Sequence, residues 1–179
     1  DTCAIPDLRY WDVGDKLNKA IFFDRDGVLV QSFSEDGKDD RGPRSIKELV
    51  VHSWCHESLR EAKTRGFLLI CLTNQPEIQR GLTSFDDQFE INEEVRFELE
   101  LTGVYMCIHD NRDECSCRKP KPGMIYAAAY DHEINLSQSF LIGDRRKDVD
   151  AATNAGVTPF LIEKNSKVLL HVVRQICDM

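Results

Sequence analysis

Ile21-Phe22-Phe23-Asp24-Arg25-Asp26-Gly27-Val28-Leu29 is an apolar run that stops in two carboxylates one residue apart, followed by a glycine. The run predicts a strand over Ala20–Phe23. In a strand, residues i and i+2 share a face, so Asp24 and Asp26 are expected to point the same way at its end, with Gly27 turning the chain. Two carboxylates that close repel, and a hard cation such as Mg²⁺ relieves the repulsion. A metal-neutralised carboxylate beside a second one suits phosphoryl transfer through an aspartyl phosphate. An ordinary strand-to-turn junction, where Asp and Gly are common, is the competing reading.

Further along, apolar runs alternate with helical patterns. A helix is expected over His52–Thr64 with Gly66 near its cap, a buried parallel strand over Phe67–Leu72 ending at Thr73, and a helix over Phe85–Leu101 stopped at Gly103. A short strand over Val104–Ile108, a helix over Gly123–His132, a strand over Ser139–Ile142, a helix over Asp148–Ala155 and a strand over Thr158–Ile162 follow. Leu169, Val172, Val173 and Ile176 recur at helical spacing, so the tail from 164 to 179 reads as an amphipathic helix that packs on the core or on a partner. The polar residues 31–45 read as a long loop or small hairpin, and Tyr10 and Trp11 as packing anchors of an irregular N-terminal stretch.

Strands alternating with helices predict an α/β, Rossmann-like parallel sheet with helices on both faces, in one domain whose core spans about residues 19–163. In such sheets reactive groups gather beyond the carboxyl ends of the strands, at the topological switch point. Asp24 and Asp26, Thr73-Asn74-Gln75 and Asp144 all fall at such ends.

Composition bounds the partners. The chain has 179 residues and a net charge of −8, enough for one hydrophobic core and too acidic for an expected nucleic-acid partner. An anionic substrate must then be drawn by a local cluster of cations. No stretch approaches the roughly 20 apolar residues of a membrane span. The seven cysteines are odd in number, and three crowd into one short segment. That suits metal ligation in a reducing compartment, so a cytoplasmic location is expected.

Cys107-Ile108-His109 and Cys115-Ser116-Cys117 put three thiols and one imidazole within eleven residues. These four ligands make a closed tetrahedral Zn²⁺ site, a structural staple with no position left for reactive water. Incidental thiols on a polar loop are the alternative. Arg118-Lys119-Pro120-Lys121-Pro122 follows directly. It reads either as a solvated basic turn or as a braced, proline-stiffened cation able to offset charge on a transferring phosphoryl group. Gly143-Asp144-Arg145-Arg146-Lys147-Asp148 places two carboxylates four apart at a strand end and helix start. Asp144 can complete a metal site; Asp148 can support it or serve as a first-turn acid.

Together these residues resemble the haloacid dehalogenase superfamily of phosphotransferases. Asp24-x-Asp26-Gly27 looks like its first motif, Thr73 its second, Lys119 its third and Gly143-Asp144-x-x-x-Asp148 its fourth, across roughly residues 20–163. The Cys/His loop narrows the resemblance to the subgroup of heptose 1,7-bisphosphate and histidinol-phosphate phosphatases, without the large cap domain of bigger relatives. The resemblance implies that Asp24 attacks phosphorus and that Asp26 protonates the leaving alcohol and then activates water. It implies Mg²⁺ held by the Asp24 carboxylate, the Asp26 main-chain carbonyl and Asp144, with Thr73 and Lys119 holding the phosphoryl group. Arg118 and Arg145, with Asn74 and Gln75, would bind the substrate.

The expected activity is Mg²⁺-dependent hydrolysis of a small sugar phosphate by a monomer, foremost the C7 phosphate of a heptose 1,7-bisphosphate, because two arginines could bind a second phosphate. Histidinol phosphate is the alternative substrate, its amine suited to Glu35, Asp36, Asp39 and Asp40. An inactive zinc-stapled binding module is the non-enzymatic alternative. Ser34, Lys38, Arg41 and Arg44 in the same loop match neither branch, and Arg145 stands where the heptose enzymes commonly carry lysine.

Overall fold

The computed structural model describes residues 17–34 and 40–179. Tyr10, Trp11, Cys3, Glu35, Asp36, Lys38 and Asp39 lie outside the described residues. Five parallel strands form one sheet: β1 (Ala20–Asp24), β2 (Leu68–Asn74), β3 (Gly103–Cys107), β4 (Phe140–Gly143) and β5 (Thr158–Leu161), in the order β3-β2-β1-β4-β5. The connecting helices are α1 (Ser53–Thr64), α2 (Phe85–Glu98), α3 (Gly123–His132) and α4 (Arg146–Ala155), with α5 (Val168–Cys177) at the end.

Alternation along the strands divides the core in two. Ile21 and Phe23 of β1, with Leu69 and Cys71 of β2, face one layer, where Cys55 and Leu59 of α1, Ile91 and Val95 of α2 and the α5 residues Leu169, Val173 and Ile176 are buried. Ala20 and Phe22 point to the other face, with Ile70 and Leu72, against Ile125 and Ala128 of α3 and Ala151 and Ala152 of α4. The helices therefore cover both faces, as expected, and α5 packs on the core. Every residue of β1 is buried, which is why its sequence is a continuous apolar run; β5, at the edge, is partly exposed.

Most element boundaries shift by one or a few residues from the sequence expectation, the tail helix shortening from 164–179 to Val168–Cys177, and three shifts bear on the fold. β1 extends to Asp24, so Asp26 lies beyond the strand, in a tight turn where the Gly27 amide donates to Val30 O (2.8 Å). The two carboxylates thus share a cleft but not a strand face. Helix α2 stops at Glu98 and not near Leu101. Glu100 adopts a left-handed conformation (φ 49°), the Leu101 amide closes onto Arg96 O (2.9 Å), and Gly103 opens β3. This is a helix stop made without glycine, with Glu100 ion-paired to Lys63. Helix α4 begins at Arg146, two residues before Asp148.

Between β1 and β2 the described residues hold a bridge pairing Phe33 with Arg41, a short 3-10 turn over Ile46–Glu48, and α1. No described helix is long and apolar enough to cross a membrane.

Candidate active site

The sheet order reverses beside β1, which pairs with β2 on one side and β4 on the other. The carboxyl ends of these three strands deliver Asp24, Thr73 and Asp144 to one rim, the expected place for a ligand. A small cleft there is lined by Asp24, Asp26, Gly42, Asn74, Arg145 and Lys147.

Asp24 is buried, and its Oδ1 accepts from Lys119 Nζ (2.7 Å) and the Arg25 amide (2.9 Å). Among the described residues nothing hydrogen-bonds to Oδ2. Burial alone would push its carboxyl pKa up, but Lys119, with Lys147 and Arg145, outweighs burial and holds it below the usual range. The Lys119 ammonium is also 2.7 Å from Asp148 Oδ1 and donates to Leu72 O (2.9 Å). Burial disfavours its charge, yet Asp148 and Asp24 together raise its pKa above the usual lysine value. Asp148 keeps its other oxygen on the Arg145 amide (3.1 Å), so it is both a first-turn acid of α4 and a support for Lys119.

Asp24, Asp144 and Asp148 can bring one oxygen each within 4.8 Å of one another. Asp24 and Asp148 both pair with the Lys119 ammonium. Asp144 is pushed up to about 7 by burial and by its neighbours Asp24 and Asp148. Asp144 Oδ1 is buried without a hydrogen-bond partner. An orphaned anionic oxygen beside a second carboxylate fits a hard divalent cation.

Asp26 is held differently. Its Oδ1 accepts from Arg25 Nε (2.8 Å), and its Oδ2 from Gln75 Nε2 (2.7 Å) and Arg25 Nη2 (3.3 Å). Gln75 Nε2 also donates to Thr73 Oγ1 (2.8 Å). Gly42 lies so close that a Cβ there would sit 2.4 Å from Asp26 Oδ2. Gly27, with φ +94°, is equally confined, since a Cβ on it would meet Asp144 Oδ2 at 2.5 Å. Side chains at these two positions would block the acids from their cleft.

The Cys/His loop stands behind Lys119. Cys107 Sγ, Cys115 Sγ and Cys117 Sγ are 3.4–3.7 Å apart, and His109 Nδ1 is 3.5 Å from Cys107 Sγ and 3.3 Å from Cys117 Sγ. Ligands about 2.3 Å from a tetrahedral Zn²⁺ would have sulfur–sulfur edges of roughly 3.8 Å, so the cage fits that ion. The loop is tied to the cleft at two points. The Gln75 amide donates to Cys107 O (2.7 Å), and Asn74 exchanges reciprocal 3.1 Å hydrogen bonds with the Lys119 backbone. Cys55 and Cys71 are buried core thiols, both pushed up to about 12 by burial.

All four residues expected to carry chemistry, Asp24, Asp26, Thr73 and Lys119, meet here. Of those expected to bind substrate, Arg145 lines the cleft and donates to Asp40 O (2.8 Å). Asn74 and Gln75 spend their amides on Lys119 and Asp26. Arg118 folds onto the Cys/His loop, donating to Asn111 Oδ1 (2.9 Å) and His109 O (3.2 Å), and faces a neighbouring cavity of about 270 Å³. Arg41 pairs with Glu48 and Arg44 with Glu77, while Ser34 and Asp40 are held by Lys164. The sequence reading overlooked Lys147 and Gly42 in the cleft and Arg25 behind it. Arg25 was legible only as the unexplained residue between two acids. It also missed Asn165, whose amide donates to Gly27 O (2.7 Å) and whose side chain holds both the amide and the carbonyl of Ser32 (3.0 and 3.2 Å).

Residues 116–168 match a family model described as HAD-hydrolase-like. The D-glycero-beta-D-manno-heptose-1,7-bisphosphate 7-phosphatase of Helicobacter pylori strain J99 is 39% identical over 147 residues, covering 78% of this chain and 80% of that protein. The D-glycero-alpha-D-manno-heptose-1,7-bisphosphate 7-phosphatase of Burkholderia mallei is 36% identical, covering 81% and 79%. Among solved structures, the D,D-heptose 1.7-bisphosphate phosphatase of B. bronchiseptica, complexed with magnesium and phosphate, superposes with a TM-score of 0.77 at 25% identity, covering 89% of this chain and 98% of that one.

Proposed function

Because this chain belongs to the family of the D-glycero-D-manno-heptose-1,7-bisphosphate 7-phosphatases, among the HAD-like hydrolases, we propose that it hydrolyses the C7 phosphate of that bisphosphate through an aspartyl phosphate. It is a phosphomonoesterase, and the observation that carries the mechanism is the pairing of an ionised, buried Asp24 with an independently held Asp26 in one cleft. A nucleophile must be ionised and an acid must deliver a proton, so two carboxylates in unlike surroundings divide the work.

Asp24 attacks phosphorus through its uncommitted oxygen, and the bond from phosphorus to the sugar oxygen breaks. Asp26 gives its proton to that oxygen. The carboxylate so formed takes a proton from water, which attacks the aspartyl phosphate and releases inorganic phosphate with Asp24 restored. Lys119 and Thr73 face the phosphoryl oxygens, and Arg145, at the cleft's edge, suits an anionic group further along the substrate.

The Asp24 and Asp144 carboxylates and the Asp26 main-chain carbonyl would hold Mg²⁺, with Asp148 supporting Lys119. When bound, that ion neutralises charge shared by the acids and the phosphoryl group. Cys107, His109, Cys115 and Cys117 would hold a structural Zn²⁺, which keeps the loop carrying Lys119 in place.

The deciding experiment compares kcat/KM for both anomers of the heptose 1,7-bisphosphate with that for histidinol phosphate, in the presence of Mg²⁺. The expected outcome is preference for a heptose bisphosphate with release of the C7 phosphate only. Equal or better turnover of histidinol phosphate would overturn the assignment.

A further inference from the structure

Helix α2 has its side chains the wrong way round for an amphipathic surface helix. It buries Gln88 and Asn92 beside Ile91 and Val95, while Phe85, Phe89 and Phe97 are half or more exposed. Burying an amide is unfavourable unless its hydrogen bonds are made. Here they converge on one residue. Asn92 Oδ1 accepts from Arg25 Nη1 (2.7 Å), and Gln88 Oε1 accepts from Arg25 Nη2 (2.8 Å). Arg25 is itself fully buried, and its Nε and Nη2 also donate to the two oxygens of Asp26.

Gln88 has a second attachment. Its Nε2 donates to Pro43 O (2.8 Å) and, at 3.3 Å, to Thr83 Oγ1. Pro43 follows Gly42, whose backbone lies directly against the Asp26 carboxylate. The contacts therefore close a ring: Asp26 to Arg25, Arg25 to Gln88, Gln88 to Pro43, and Gly42 back to Asp26. Asp26 and Asn92 already accept from all three guanidinium nitrogens of Arg25. The bond to Pro43 goes beyond what burying Arg25 requires, and it joins the acid to the segment that roofs it.

We propose that Gln88 is a positioning residue for the reaction, fixing the Asp26 carboxylate against the leaving oxygen through Arg25 on one side and Pro43–Gly42 on the other. The proposal rests on the reading of Asp26 as the acid–base group. A misplaced acid has a specific signature. Proton delivery matters most when the leaving group is a poor one, such as a sugar alkoxide, and little when it is a good one, such as p-nitrophenolate.

The test measures kcat and KM for the heptose bisphosphate and for p-nitrophenyl phosphate in the wild type, Asp26→Asn and Gln88→Leu. Gln88→Glu, which keeps the acceptor for Arg25 and loses the donor to Pro43, is measured alongside and carries the test if Gln88→Leu fails to fold. Asp26→Asn is expected to lose about 10²–10⁴-fold in kcat on the sugar phosphate and far less on the aryl phosphate. The Gln88 variants are expected to repeat that split at a smaller scale, about 10–100-fold against less than about 3-fold, with KM nearly unchanged. If Asp26→Asn shows the split and the Gln88 variants lose equally on both substrates, or lose nothing, the positioning role is overturned while the acid–base reading stands. If Asp26→Asn shows no split, the acid–base reading itself fails and the proposal falls with it.

Discussion

In the Cys107–His109–Cys115–Cys117 cluster the three sulfurs lie 3.4–3.7 Å apart with His109 Nδ1 3.3–3.5 Å from two of them, whereas in the Asp24–Asp144–Asp148 cluster two of the three carboxylates pair with one ammonium and Asp144 Oδ1 has no hydrogen-bond partner. The first arrangement is closed. Its ligands match a tetrahedron, so an ion held there has no face for substrate. The second is open and electrostatically unfinished. It leaves a buried carboxylate oxygen of Asp144 without a partner, and a divalent ion would complete it. The difference teaches how the proposed function would separate holding from reacting: the closed cluster would fix the loop that bears Lys119, and the open one contains Lys119 without being satisfied by it.

The sharpest way to break this contrast is to remove the proposed nucleophile. Asp24→Asn is expected to lower kcat on the order of 10⁴-fold or more. Lys119 keeps Asp148 at 2.7 Å, so far-ultraviolet circular dichroism and Tm should stay near wild type. A variant that still turns over at a tenth of the wild-type rate would show that Asp24 is not the attacking group.

The closed cluster should answer to the opposite perturbation. Cys115→Ser leaves three ligands and an unfinished tetrahedron. We expect zinc content per chain, measured by atomic absorption, to fall together with stability, by about 2–5 kcal/mol, the range for loss of a native cross-link in a small domain. Activity should fall too, because Lys121 fastens the Lys119 segment to a loop that has lost its anchor. Full stability in a metal-free parent protein would remove the staple.

How far each cluster was legible in the sequence follows the same division. The Cys/His cage could be read because its four ligands fall within eleven residues. The open cluster could be read because strand ends announce themselves: Asp24, Thr73 and Asp144 each terminate an apolar run, and a parallel sheet brings such ends together. What could not be read was the support. Arg25 is bound by Gln88 and Asn92, 63 and 67 residues away, and neither type of residue signals chemistry on a helix whose phenylalanines lie outside. Gly42 mattered through close approach to Asp26, and Lys147 through the side of α4 that meets the cleft; both depend on the tertiary arrangement. The helix stop at Glu100 escaped because left-handed caps are expected at glycine, and Leu99 and Leu101 continued an apolar pattern.

The smallest effect sought bears on why the open cluster stays open. Asp144 is pushed up to about 7 by burial and by Asp24 and Asp148. A carboxyl with a raised native pKa binds its proton more tightly folded than unfolded. In metal-free protein its contribution is therefore most favourable below about pH 4 and is lost as pH rises through about 7. Asp144→Asn removes the titrating charge and keeps the shape. In EDTA the variant should match wild type below about pH 4 and exceed it at pH 8, on the order of 1–2 kcal/mol in urea unfolding, since solvent reaches part of the group. Adding Mg²⁺ should stabilise wild type at pH 8 and leave the variant nearly unmoved, because the cation then supplies what the proton supplied at lower pH. Equal stabilities at pH 8 in EDTA would mean that the three acids do not compete, and the contrast between a satisfied cage and an unsatisfied cleft would lose its electrostatic basis.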